Sequence, residues 1–401
     1  MLRSLFSGIT GLRAHQTMMD VTGNNIANVN TAGYKASQSV FEDTLSQMLT
    51  AAGAPQNGKA GTNPAQVGLG VRVAAVNTNF NQGAPQNTGR STDLMINGDG
   101  FFVVRNGGEN LYTRAGSFSF DANGVLGNAD GGVVQGWMAG PGGVLNTNAT
   151  PTDVKLAVGT LLPPTETTKM TVAGNLPADS TTATTTPITM SETVFDPQGN
   201  KISLTLSFTK VDPTHWDVTA SDGTTTTTAT NLAFNADGSG PATPSTISFA
   251  AGALSGITID LSGVTSFAGS TTAGIQSQNG SALGELQSFT ISPDGTLIGV
   301  FSNGNKQALA QIAMASFNNP PGLEKAGGSM YRSTVNSGIP QLGTAGSGGR
   351  GGLQGGSLEM SNVDLAQEFT NLIIAQRGFQ ANSKVITTSD QLLNDLVNMK
   401  Q

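Results

Sequence analysis

The residues that could carry chemistry are few and poorly spaced for it. The 401-residue chain has two histidines and no cysteine, so neither a thiolate metal site nor a disulfide framework can be read from it. His15 lies within an apolar-patterned stretch and reads as an interface or solvent residue. His215 follows Asp212-Pro-Thr beside Trp216 and reads as a turn residue rather than a base. No serine stands in a nucleophile elbow, and no H-E-x-x-H is present. The Asn97-Gly98-Asp99-Gly100 loop could pass for a phosphate cradle or part of a calcium loop. It lacks the glycine spacing, the lysine and the alternating acids that those need, and a tight hairpin turn is expected instead. Asp93, Asp99, Asp121 and Asp130 all flank turns, where aspartate serves the backbone. Two of them meeting in space as a glycosidase-type carboxylate pair stays open at this stage. No catalytic, cofactor-binding or metal-ligating residue is assigned, and an enzyme is not expected.

Composition narrows the classes further. Charged residues make up only 11% of the chain, against roughly 25% in an average soluble protein. Thr, Ser, Asn and Gln take their place, as on a surface mostly covered by neighbours or on a secreted β protein. The net charge of −7 argues against a nucleic-acid partner, which needs a basic surface. No apolar run is long enough for a membrane span. Arg13 and His15 interrupt the first apolar stretch, so a secretory signal is not expected there.

The elements that must organise such a chain lie at its ends. Leu2, Leu5, Ile9, Leu12 and Met19 fall on alternating three- and four-residue steps, with Gln16 as the polar member. That spacing predicts one seam of a helix. Leu365, Phe369, Leu372, Phe379, Ile386, Leu393 and Val397 follow the same rule, interrupted by Gln376, Ser383 and Asp390. Two seams at opposite ends predict termini that pair as a coiled-coil-like stalk carrying the middle of the chain. Ser361 with Asp364 predicts a capping-box start for the second helix. A run from 362 to 400 would be ~58 Å long.

The first seam runs into Asn24, Asn25, Ile26, Ala27 and Asn28, then Thr31, Gly33, Tyr34 and Lys35. The asparagines compete for backbone hydrogen bonds, so the helix should fray or end here, and Gly33 supplies a turn. An apolar helix, then Asn-Asn-Ile-Ala-Asn, then Thr-x-Gly-Tyr-Lys resembles the N-terminal signature of the rod and hook family, the axial proteins of the bacterial flagellum. Ser357 to Phe369 and Gln376 to Lys384 resemble that family's C-terminal signature in outline.

Between the ends the chain reads as β structure. Residues 31–70 and 343–360 are expected to be flexible connectors, with Phe41, Leu45, Met48 and Leu49 adding a further helical turn or two. Residues 71–143 and 285–342 read as a β-rich body, which resembles the body domain that the family shares. Strand–turn–strand patterns run from Ser91 to Val104 and from Tyr112 to Leu126. Residues 144–284 read as an inserted outer β domain. Between 144 and 282 four lysines face ten acids, which leaves that span with −6 of the chain's −7. Such a domain is expected to be hydrated and outermost. Within it Ile202, Leu204, Leu206 and Phe208 alternate after the Asp196-Pro-Gln-Gly-Asn turn, and Trp216 and Val218 follow on the next strand.

The fold class expected is therefore mainly β with terminal α-helices. The resemblance implies a structural subunit of the hook, self-assembling into a curved flexible tube outside the cell that couples rod to filament and transmits torque. It also implies the partners: further copies of the chain, a distal rod protein, a hook cap, a hook–filament junction protein and the flagellar type III export apparatus. No cofactor is implied. A distal rod or junction protein is the nearer alternative, and an extracellular β-rich adhesin or hydrolase the more distant one.

Overall fold

The computed structural model describes residues 2–55, 60–156, 159–179, 187–248 and 255–399. It is mainly β, with one helix near each end: α1 (Leu2–Ala27) and α2 (Leu365–Asn398). The chain divides into two compact units. The first comprises 1–156, 290–298 and 308–401; the second comprises 157–289 and 299–307.

In the first unit, α1 and α2 pack along one another. The body sheet is built on the hairpin of Phe101–Asn106 with Glu109–Thr113. The first of these strands also pairs with Val133–Met138 and with Met314–Ser316. The second pairs with Met330–Arg332. Phe101, Tyr112, Trp137, Phe317 and Tyr331 form the buried core with Phe80 against it. Its rings meet edge to face, Tyr112 on Phe317 at 4.7 Å and Phe101 on Phe317 at 5.8 Å. The C-terminal return adds strands to N-terminal ones: Gly352–Gly355 pairs with Leu94–Asn97, and Ser357–Glu359 with Pro85–Asn87.

Several expectations change here. The Asn97–Gly100 turn is not a hairpin, because its flanking strands pair elsewhere. Gly98 at φ +111° and Gly100 at φ +123° let the chain leave one strand pair for another, a path closed to side-chain-bearing residues. The helical turns expected around Phe41 and Leu45 are strands: Ser37–Asp43 pairs with Val71–Thr78, and Ser46–Thr50 with Ala65–Gly68. Leu45, Met48 and Leu49 are all exposed, so an apolar helical stripe there would have had nothing in this chain to face. The glycine-rich stretch expected to be flexible is also held. Arg350 donates to the Thr344 carbonyl at 3.1 Å, and the Gly351 N–H donates to the Asp99 carbonyl at 2.6 Å. Residues 144–156 pack with the body rather than beyond it. Val154 is buried, and the Trp137 Nε1–H donates to the Ala149 carbonyl at 2.6 Å. The boundary between the units therefore falls at 156/157, not at 144.

The second unit carries two sheets. One is an antiparallel meander of Ile188–Phe195, Lys201–Lys210, His215–Ser221, Thr226–Phe234 and Pro241–Thr243. The other orders Thr246–Ser248, Thr258–Thr265, Lys169–Asn175 and Gly274–Gln278, with its middle two strands parallel. Alternation decides which side is buried. Leu204, Leu206, Phe208, Trp216 and Val218 from the first sheet share one core with Met170, Val172, Ile259 and Leu261 from the second. The Asp196 carboxylate accepts the N–H groups of Gln198 at 2.9 Å and Asn200 at 2.8 Å, which fixes the hairpin register. Phe208→Ala is expected to destabilise this unit by about 3–5 kcal/mol. Urea unfolding followed through Trp216 fluorescence measures it, and a loss under ~1 kcal/mol would contradict the packing described.

Candidate self-assembly interface

The helix pair is antiparallel, and its contact line runs along small residues. A Cβ added at Gly8 would stand 3.3 Å from Ile386 Cγ1, one at Gly11 2.7 Å from the Asn382 side chain, and one at Gly378 2.5 Å from the His15 ring. Gly8, Gly11, Ala14, Thr22 and Asn25 are the buried residues of α1, and Ala375 and Ser389 those of α2. The backbones approach closely because these positions carry little side chain. His15 packs edge-on to Phe41 at 6.0 Å.

Apart from Ile386, which meets Gly8, the expected seams sit beside that line rather than on it. Leu5, Ile9, Leu12 and Met19 are half-buried on α1, as are Leu372, Phe379, Ile386 and Leu393 on α2. Leu365 and Phe369 face outward, Phe369 with 51% of its surface exposed. The side chains of Leu2 and Val397 lie outside the described residues. Phe6, Ile373, Ile374, Val385 and Leu392 are exposed as well, so the two-helix pair leaves apolar side chains uncovered along its length.

The helix ends are set locally. Asp364 caps α2, its carboxylate accepting the N–H of Ala366 at 2.9 Å and of Gln367 at 3.3 Å. It takes the capping role expected of Ser361 because the helix begins at Leu365, and its charge also suits the positive end of the helix dipole. From Leu365 to Asn398 the helix is about 51 Å long.

At this same end of the stalk, since the helices are antiparallel, the asparagine motif ties α1 to the chain that leaves it. Asn25, buried, exchanges two bonds with the Ser37 backbone: Nδ2 donates to its carbonyl at 2.7 Å, and Oδ1 accepts its N–H at 3.0 Å. The Tyr34 hydroxyl donates to Asn25 Oδ1 and accepts from Asn24 Nδ2, both at 3.1 Å. Asn28 Oδ1 accepts from the Thr31 hydroxyl at 3.1 Å. Ile26 is half-buried and Ala27 exposed. Burial pushes the Tyr34 hydroxyl up, with the Glu368 charge adding to it. Glu368 is itself raised by burial, against hydrogen bonds from Asn25, Thr22 and Asn371.

Below the motif lies a buried ionic cluster that the sequence did not announce. Lys35 Nζ donates to Glu359 Oε1 at 2.6 Å, with both side chains fully buried, and to the Asn81 carbonyl at 2.7 Å. The Gly83 N–H donates to the same carboxylate oxygen at 2.8 Å. Arg114 Nη1 stands 3.5 Å from Glu359 Oε2, its guanidinium over the Phe101 ring. Burial pulls Lys35 below the ordinary lysine value, with the Glu359 hydrogen bond and charge opposing that and Arg114 adding to it. Asn362 completes the junction, accepting the Ala36 N–H at 2.8 Å and donating to the Asn79 and Asn81 carbonyls. Lys35 and Glu359 are 324 positions apart. Only a charged residue amid a well-patterned strand, as Glu359 is, could have hinted at such a pairing.

Others of the chemistry-bearing groups serve turns. His215 Nδ1 lies 2.7 Å from Asp212 Oδ1, and that carboxylate also accepts the N–H groups of Thr214 and His215. The His215 hydrogen bond leads in lowering the Asp212 carboxyl to about 2. Asp121 accepts the N–H groups of Asn123 and Val125 in its hairpin turn. Among the described residues no group of His, Asp or Glu is placed to hold a metal ion.

Four family models match parts of the chain. Flagella basal body rod protein matches residues 5–35, and the flagellar hook protein FlgE/F/G D1 domain matches 95–175. The flagellar basal body protein FlaE D2 domain matches 159–281, and the flagellar basal body rod FlgEFG protein C-terminal model matches 354–399. The flagellar hook protein FlgE of Borreliella burgdorferi is 38% identical over 444 residues, both proteins being covered in full. That of Escherichia coli is 37% identical, with 98% of each covered. The flagellar basal-body rod protein FlgG of Bacillus subtilis also aligns over the full length of both, at 32%. Among solved structures, the flagellar hook protein FlgE2 of Helicobacter pylori superimposes with a TM-score of 0.51 at 16% identity. It covers 69% of this chain and all of its own, a likeness of fold alone.

Proposed function

The chain belongs to the flagellar hook protein family, and from that premise we propose that it polymerises with itself through the exposed faces of α1 and α2. It is a structural hook subunit, and the observation that carries the assembly mode is the uncovered apolar band along the helix pair. Phe6, Phe369, Ile373, Ile374, Val385 and Leu392 stand in water on a pair too thin to bury them. Exposed apolar side chains gathered on one element mark an interaction site, and further copies of the same chain supply the covering wall. Head-to-tail contact between unlike patches yields an open helical polymer when the rotation between successive copies does not close into a ring.

In this reading the expected seam residues, from Leu5 to Met19 and from Leu365 to Leu393, line contacts within and between subunits of an inner tube. The second unit is the outer domain, which slides against its neighbours as the tube bends. The tube lies outside the cell and passes torque from rod to filament, contacting a distal rod protein, a cap, a junction protein and the export apparatus. Catalysis has no part in it. The test is direct: cells lacking their own hook protein, supplied with this chain, are examined by electron microscopy. Curved hooks of regular length support the reading. Straight rods would favour the rod-protein alternative, which the 32% match to a FlgG protein keeps in view, and absence of any polymer would remove both.

A chain in which a short Gly-Ser linker replaces 157–289 is expected to polymerise still, giving a straighter tube because the outer contacts that bias curvature are gone. Complete loss of assembly by a folded remainder would count against an outer position for that unit.

A further inference from the structure

The cluster around Glu359 joins distant parts of the chain. Its carboxylate takes Lys35 and the Gly83 N–H on one oxygen, and Arg114 approaches the other. Its backbone carbonyl accepts the Gly33 N–H at 2.7 Å. Three residues on, Asn362 binds Ala36, Asn79 and Asn81. Segment 357–362 thus supplies the counter-charge and the backbone partners for two separate N-terminal stretches, 33–36 and 79–83. Among the described residues, Glu359 is the only carboxylate in ion-pair contact with Lys35. The other acid near Arg114 is Asp99, 4.0 Å away with a side chain 95% exposed.

We propose that Glu359 is a positioning residue which makes the fold of the N-terminal signature conditional on the C-terminal segment of the same chain, so that α1 is aimed along α2 only once residues 357–362 have docked. The physical reason is desolvation. A lysine and an arginine cannot both be stripped of water beside a core without a carboxylate to receive them. With the segment undocked, Lys35 stays solvated, Gly33 lacks its acceptor, and the Asn25–Ser37 clasp that sets the exit angle of α1 has no fixed floor. The stalk therefore cannot form from one end alone, which keeps the apolar faces of a half-emerged chain from being presented in assembled geometry. This inference does not depend on what the polymer is, since it concerns the single subunit.

The test compares the full chain with Glu359→Gln, Lys35→Met and the double variant. Two readouts are followed by mass spectrometry: acetylation of the Lys35 amine by an N-hydroxysuccinimide ester, and amide hydrogen exchange at 33–37. In Glu359→Gln both are expected to accelerate about a hundredfold or more, toward the low end of the effect seen when a buried pair loses one partner. Exchange in the body strand 101–106 should stay at the parent rate. Adding Lys35→Met removes a charge that needs the partner, and exchange at 33–37 should return most of the way to the parent value. A Glu359→Gln chain with unchanged protection at 33–37, equal loosening of 101–106, or no relief in the double variant each overturns the proposal. Should Glu359→Gln not fold, Glu359→Asp keeps the charge but shortens its reach. About tenfold acceleration at 33–37 with 101–106 unchanged supports the proposal, and parent-like protection refutes it.

Discussion

Phe369→Asp is expected to abolish polymerisation at concentrations where the parent assembles, while the subunit's own melting curve barely moves. Phe369 lies off the contact line of the helix pair with half its surface in water, and Ile373 and Ile374 on the same helix are similarly exposed. Substitutions at such positions usually shift stability by less than ~0.5 kcal/mol. In the polymer the same side chain would be covered by a neighbour, a burial that contributes about 1.5–3 kcal/mol. Aspartate forfeits that and adds the cost of desolvating a charge, several kcal/mol more. Since every subunit carries the change, the critical concentration should rise by about a thousandfold or more. Sedimentation reports assembly and circular dichroism reports the melt. Ala375→Asp is the contrasting variant: Ala375 is fully buried on the α1 side, so it should loosen the helix pair within the subunit as well. If Phe369→Asp pellets like the parent, the exposed face is not the subunit contact.

How much of this was legible in the sequence depends on how local the cause was. The Asp196–Asn200 turn, the alternation through Leu204, Leu206 and Phe208, and the Asp121 turn each depend on neighbours within a few residues, and each stands as read. The helix seams were legible only to within one residue of rotation. Counting apolar side chains selects Ile9, Leu12 and Met19, whereas the close contact falls one step earlier, on Gly8, Gly11 and neighbours whose smallness is what admits the partner helix. One residue is about 100° of helix, enough to exchange an inward face for a flanking one. The pairing of Ser37–Asp43 with Val71–Thr78 was missed because helix and strand compete closely there, and the partner strand decides between them. The Lys35–Glu359–Arg114 cluster was out of reach for a different reason. Its members come from three distant places, and nothing near any one of them names the other two.

Gly33→Ala is expected to be among the most damaging single-methyl additions this chain can receive. Gly33 sits at φ +68°, a left-handed conformation that costs a residue with a side chain about 1–2 kcal/mol. The added carbon would also stand 2.4 Å from the Ala115 nitrogen, 2.6 Å from its Cα and 2.8 Å from the Arg114 carbonyl carbon. These are backbone atoms, so no rotamer change relieves the overlap, and the turn must lift away from the body. Lifting it breaks the 2.7 Å bond from the Gly33 N–H to the Glu359 carbonyl and draws Lys35 off its carboxylate. The combined loss should be about 4 kcal/mol or more, in the exceptional range for one substitution. Gly23 offers a matched control. It lies inside α1 with nothing within 4 Å of an added Cβ, so Gly23→Ala should instead stabilise the helix by about 0.5–1 kcal/mol. Urea unfolding at 222 nm with hydrogen exchange at 33–37 compares the two. Opposite signs are expected, with Gly33→Ala alone opening the junction and preventing assembly. If the two variants behave alike, the turn is not held against the body as described, and the dependence of the stalk on that anchor goes with it.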